Sequence, residues 1–291
     1  MRGTDADPTR SAPDPARAYA ELHARSNFSF LEGASHPEEL VERAVELGLA
    51  ALALTDRNGL YGVVRFARAA RGLALRTAFG AELECGESRD GARDRLVVLA
   101  DGPPGYMRLS RAITEGQLAG AKDAPRFDLA ALAAHGAGAW WVLTGAERGG
   151  AARALEAHGP AAAEREVARL AEAFGRDRVL VELWHHGDPV DTARNDALAR
   201  VADRVGVGCV ATNDVAYARP VDHRLATAFA AVRAGRTLDE MDPRLPPAGA
   251  ACLRSAAEQR RRFARYPGAV ERAVEVAAAA AFDLALVAPR L

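Results

Sequence analysis

YAELHARSNFSFLEGAS, residues 19–35, is the stretch on which the fold reading turns. Tyr19 and Leu22 begin a short apolar, alternating run that ends at His23. A polar loop with Arg25, Ser26, Asn27, Glu32 and Gly33 follows. The ionisable side chains therefore stand at the C-terminal end of a buried strand and just beyond it, where a strand delivers residues to a pocket. The same arrangement recurs at Thr55-Asp56-Arg57, at Glu82 and at Asn213-Asp214. Strand ends bearing acids, arginines and a histidine suggest one shared site.

Working outward, the chain alternates strands and helices. Ser35-His36-Pro37-Glu38-Glu39 opens a helix in which Ser35 is placed to cap, Pro37 suits the first turn and Glu38 completes a capping-box spacing. Leu40, Val41, Ala44, Val45 and Leu47 supply its apolar face, and Gly48 ends it. Residues 49–54 are a continuous apolar run, as expected of a strand buried on both faces. A helix is expected over 60–71, a strand with Glu82 over 75–83, and another strand over 95–100. Helices at 105–116 and 127–134, a strand at 139–143, a helix at 161–174, a strand at 179–183, a helix at 193–205 and a strand at 208–212 complete the rhythm. About seven strand–helix units predict parallel pairing and a closed βα barrel. From Pro220 the pattern is helical, and residues 253–282 would make about 45 Å of helix, broken at Tyr266-Pro267-Gly268. Residues 1–17 read as a disordered leader, 18–235 as the barrel, and 236–291 as a helical extension or linker.

Bulk properties exclude several classes. Lys+Arg 38 against Asp+Glu 39 leaves a formal charge of −1, so no basic excess advertises direct nucleic-acid binding. Cys85, Cys209 and Cys252 are widely spaced, which argues against both a disulfide framework and a zinc ribbon and fits a reducing, cytoplasmic setting. No apolar run approaches the roughly 20 residues of a membrane span, so no membrane partner is expected. On a barrel's C-terminal face, His23, Glu32, Glu82 and Asp214 would share one pocket. That donor set suits a divalent metal and phosphate-ester hydrolysis, while an acid at a strand end often does no more than cap a loop. His186 is placed to look into the same pocket, and its neighbour His185 would then point away. His36, His135, His158 and His223 have no motif context and are expected at the surface. Arg254 and the arginines of residues 260–265 read as a solvated helix face, with nucleic acid or a neighbouring domain as the other possibility.

LHARSNFSFLEGAS, ALALTDRNGLYGVVRFARAA, FGAEL, RLVVLADGPPGYMRLS, VLTGAERG and VATNDVAYARP together resemble the PHP (polymerase and histidinol phosphatase) domain. The resemblance runs from about Tyr19 to the C-terminus. It is nearest to the N-terminal PHP domain of bacterial C-family DNA polymerases, the polymerase III alpha subunits, and SNFSFLEGASHPEELVERA and ELWHHG point to their error-prone branch. It implies a distorted, seven-stranded, TIM-like βα barrel with extra C-terminal helices, and a trinuclear zinc or manganese centre. His23, Glu32, Glu82 and Asp214 keep plausible ligands at the family's positions. Arg25, Arg57, Arg95, Ala146 and Ala216 stand where further ligands are expected. A multi-ion site needs roughly three or more protein ligands per ion, so the resemblance implies an eroded site with no cofactor, or at most zinc or manganese at a partial one. Arginine cannot ligate a metal, and three inward guanidinium groups would neutralise the remaining carboxylates. Two function classes follow: a non-catalytic scaffold or contact module of a DNA replication or translesion-repair polymerase, touching DNA only indirectly and partnered by the remainder of that polymerase, or a metal-dependent phosphoesterase of the histidinol phosphatase or 3′–5′ exonuclease kind.

Overall fold

The computed structural model describes residues 18–86, 93–241 and 249–287. The leader expected over 1–17 lies outside the described residues, as do residues 242–248 and 288–291 of the extension expected over 236–291. Seven strands form one curled sheet in chain order: β1 (Ala20–Glu21), β2 (Ala51–Leu54), β3 (Arg76–Cys85), β4 (Asp94–Ala100), β5 (Trp140–Leu143), β6 (Val179–Leu183) and β7 (Gly208–Ala211). The sheet curls until its edges meet. Just past β1 and β7, Ala24 bridges Val215, with Arg25 N–H donating to Val215 O at 2.9 Å and Val215 N–H to His23 O at 2.8 Å.

The strands are not all parallel, as the strand–helix rhythm had suggested. β4 runs antiparallel to both β3 and β5, while the other neighbours pair in parallel. A parallel crossover needs about a dozen residues, and the stretch between Cys85 and Asp94 is too short for one. This reversal has a consequence for the site. The start of β4 lies where the other strands end, so Arg95 pairs with Glu84 in the ladder and stands beside Glu82 rather than at the far side of the barrel.

The helices are α1 (Pro37–Glu46), α2 (Val63–Ala70), α3 (Gly102–Ala119), α4 (Leu129–Gly136), α5 (Gly150–His158), α6 (Pro160–Phe174), α7 (Asp191–Val205), α8 (His223–Ala234), α9 (Ala256–Arg262) and α10 (Ala269–Ala280). α1 is capped by His36 rather than Ser35: Glu39 accepts from His36 N–H at 2.6 Å. Ser35 is used across the fold instead, its Oγ accepting from Ala218 N–H at 2.8 Å, and Glu38 pairs with Arg65. A tertiary partner outcompetes the local cap. α5 was not anticipated, because its alanines and glycine carry little periodic contrast.

The main core lies between the sheet and its outer helices, with Leu40, Leu52, Leu54, Phe66 and Phe79 buried in it. The C-terminal segment joins this core. α10 buries Ala269, Val270, Ala273, Val276, Ala277 and Ala280 and packs on β7, β3, β1 and β2. Phe282 lies 5.0 Å from Phe79, edge-on, and its N–H donates to Thr77 O. The expected break at residues 266–268 is present: α9 ends at Arg262, and Gly268 starts α10 with φ +84°. No helix among the described residues is long and apolar enough to cross a membrane.

Candidate functional site

Alternation along and just past β1 sends Glu21, His23 and Arg25 to one side and Leu22 and Ala24 to the other. All five are buried. The loop that follows is pinned by Asp56, whose Oδ1 accepts from Ser26 N–H at 2.8 Å and from Ser29 Oγ–H at 2.8 Å. Gly33 is required in this loop, because a Cβ there would sit 1.9 Å from Ser26 O. The loop turns Glu32 back toward the strand ends.

There the four acid and histidine candidates meet the three arginines. Glu32 is grasped at both oxygens by Arg95, at 2.6 and 2.9 Å, and further by Arg57 at 3.0 Å and Arg148 at 2.7 Å. Glu82 Oε2 lies 3.2 Å from both Arg25 Nη1 and Arg95 Nη1. Asp214, held in a left-handed conformation with φ 44°, places Oδ1 2.5 Å from Arg25 Nη1. Arg25 and Arg95 are buried; Arg57 is partly exposed at the rim, where it also faces Glu84.

His23 is fully buried. Its Nδ1 lies 2.8 Å from Glu182 Oε1, and its Nε2 lies 3.5 Å from Asp214 Oδ1 and 3.2 Å from Arg25 Nη1. Burial opposes the imidazolium, but Glu182, Asp214 and Glu82 outweigh it and raise the pKa to about 9. Burial also opposes ionisation of Glu32, Glu82 and Asp214. Their arginine partners prevail, Arg95 first for Glu32 and Arg25 first for the other two, and all three are held below the ordinary carboxylate range. The carboxylates in turn hold Arg25 and Arg95 charged against burial.

Sequence reasoning missed several members. Glu182, fully buried in β6, orients His23 and also takes Thr212 Oγ–H at 2.5 Å and Gly145 N–H at 3.1 Å. Its signal was a single acid in the run VLVEL. Glu21 accepts from Tyr19 Oη–H, His23 N–H and Asn213 N–H, and burial raises it to about 7. Arg148 arrives from the short 3-10 turn that begins at Ala146.

Ala146 is buried with φ 49°, and Ala216 serves through its carbonyl, which accepts from Ala34 N–H at 2.7 Å; neither brings a polar side chain. His186 Nε2 lies 2.8 Å from Asn213 O, and the residue lines the cavity of about 130 Å³ at the mouth with Arg148, Asp214 and Arg233. Burial lowers its pKa, against the pull of Asp214. His185 turns to Asp191 at 3.3 Å. His223, expected at the surface, is half-buried and lines the same mouth. Arg254 is not a solvated face residue: it is buried and donates to His185 O and Ala250 O.

The donor set does not fit the zinc or manganese centre that the PHP resemblance implies. A ligating carboxylate oxygen must face the ion, yet Glu32 through both oxygens, Glu82 through Oε2 and Asp214 through Oδ1 face guanidinium nitrogens. Arg25 Nη1 occupies the point where His23, Glu82 and Asp214 converge. Among the described residues no group of three or more His, Cys, Asp or Glu side chains is arranged to hold a metal ion. The arrangement can do something else: it neutralises buried charge by bidentate and shared ion pairs.

Comparison with known proteins places this geometry in context. A family model described as PHP domain matches residues 21–186. The whole chain is 51% identical over 296 residues to an error-prone DNA polymerase of Mycobacterium bovis, of which it covers 27%. It is 45% identical over 334 residues to the error-prone DNA polymerase of Nocardia farcinica, with 98% of this chain and 29% of that one covered. The chain therefore spans a little over a quarter of the length of these curated relatives. An amidohydrolase from Chromobacterium violaceum shares the fold at a TM-score of 0.50 and 20% identity, covering 69% of this chain and 88% of that one.

Proposed function

The chain belongs to the PHP domain family, and from that premise we propose that it is a non-catalytic PHP domain, a scaffold or contact module of an error-prone C-family DNA polymerase. Its setting is cytoplasmic DNA replication and translesion repair, its partner is the remainder of the polymerase, and its relation to DNA is indirect. The observation that carries the reading is the placement of Arg25 and Arg95 among Glu32, Glu82 and Asp214 at 2.5–3.2 Å. Carboxylates buried without a cation are costly, and here the cations are side chains of the chain itself. The names of the relatives support the polymerase setting.

A metal-dependent phosphoesterase would need those oxygens free, and it would need imidazoles where Arg25, Arg57 and Arg95 stand. The test is elemental analysis of undialysed protein together with a phosphatase assay on the same sample. The expected result is less than about 0.1 equivalent of zinc, manganese or iron, and no hydrolysis when these ions are added. Stoichiometric metal, with hydrolysis abolished by His23→Ala and Asp214→Ala, would establish the enzyme instead.

A further inference from the structure

Helix α8 presents an apolar surface that the described chain does not cover. All but His223, Arg224, Thr227 and Arg233 of its twelve residues are apolar, yet only Ala231 is buried. A helix apolar on most sides ordinarily lies inside a protein. Its inner side is accounted for. Ala226, Thr227, Ala230 and Arg233 line the mouth of the arginine-filled pocket, Phe229 packs beside Tyr217 and Cys252, and Arg233 donates to Leu31 O at 2.8 Å. The opposite side is not. Leu225 and Val232, seven residues apart, lie within about 20° of each other around the helix, with Ala228 between them. They are 47% and 64% exposed, and Val221 and Leu238, in the short turns before and after the helix, are 68% and 58% exposed. Spacing of i, i+3 and i+7 is that of an anchor helix docking into a groove. Exposed Arg224 and Arg236 flank the stripe, which asks for acids on the partner's rim.

We infer that the outer face of α8 is an interdomain surface, and that it is covered by a further part of a polymerase-length polypeptide. This rests on the polymerase setting proposed above and is independent of the pocket's metal content. The relatives supply the occupant: the matched region is 27% of the Mycobacterium bovis protein, so most of that chain is available to pack against it. At about 18 Å long, the helix is of a size to anchor an ordinary interdomain contact. A partner there would press α8 onto the mouth of the pocket, giving the domain a contact role.

The test compares hydrogen exchange of residues 223–234 in two proteins. One is this chain alone; the other is this chain joined in frame to the remainder of the Mycobacterium bovis relative, with retained primer extension certifying that the joined protein folds. The expected result is exchange slower by at least about tenfold in the joined protein, reversed by Leu225→Asp with Val232→Asp. Melting of this chain alone is expected to be unchanged by the two substitutions. Equal exchange in both proteins would overturn the inference. So would protection of α8 in this chain alone that grows with concentration and accompanies dimerisation, which would make a second copy the occupant, or protection that appears only on adding DNA. Loss of primer extension in the joined protein, with α8 protected, would count against the polymerase setting and not against the surface.

Discussion

Replacing Arg95 by Gln is the sharpest perturbation of the pocket. Arg95 is buried and makes a bidentate pair with Glu32 at 2.6 and 2.9 Å, a contact with Glu82 at 3.2 Å and one with Glu84 at 3.1 Å. Breaking a buried pair by deleting one partner costs about 3–5 kcal/mol. Here the lower end applies, because Glu32 keeps Arg57 and Arg148 and Glu82 keeps Arg25. About 3 kcal/mol corresponds to a fall in Tm of about 5 °C for a chain of this length. Arg57→Gln is the internal control: its side chain is 31% exposed, and its loss is expected to cost under about 1 kcal/mol. The pH dependence carries a second signature. Glu32 and Glu82 have folded pKa values below their unfolded values, so the stability they contribute is present above about pH 4.3 and is lost as pH falls through the folded values. The gap between parent and Arg95→Gln is therefore widest above about pH 5 and narrows below about pH 4. Urea denaturation of the three proteins at pH 7 and at about pH 2.5 measures all of this. If Arg95→Gln costs no more than Arg57→Gln, or if its cost does not shrink at the lower pH, the ion-pair account of the pocket is wrong.

Three further outcomes follow from the same geometry. His23 has a folded pKa of about 9 against an unfolded value near 6.5, so its contribution is complete below about pH 6.5 and is lost as pH rises through about 9. Stability differences between parent and His23→Gln, followed by urea denaturation from pH 6 to 9.5, should converge over that window. Glu182→Gln removes the largest of the influences holding the proton on His23, and NMR titration of the imidazole should then find it about 1–2 pH units lower. Asp56→Ala strips the acceptors from Ser26 and Ser29, so it should cost about 2 kcal/mol and raise amide exchange selectively in residues 26–33.

How much was legible in the sequence differs by element, for physical reasons. Strands such as residues 51–54 and 96–100 were legible because continuous apolar runs leave little choice. Arg25 and Arg57 were legible because each stands just past a strand end, next to acids that need a counter-charge, and Arg95 because the family resemblance expects a ligand at its position. Glu182 was not, since an acid inside an apolar strand announces nothing until β7 brings Thr212 and the segment past β1 brings His23 to it. Arg148 reaches Glu32 from a turn, where no periodicity reports direction. The reversal of β4 was latent in the shortness of the link after Cys85. The cap of α1 was misread because the partners of Ser35, Ala218 and Asp222, lie far along the chain.

The central claim is that guanidinium groups have taken the place of metal ions in this pocket. The most direct measurement is a crystal soaked in millimolar zinc and examined by anomalous scattering at the zinc edge. The account predicts no peak among His23, Glu32, Glu82 and Asp214, with Arg25 and Arg95 in place between them. Two or more zinc peaks there, with the arginines displaced, would contradict it.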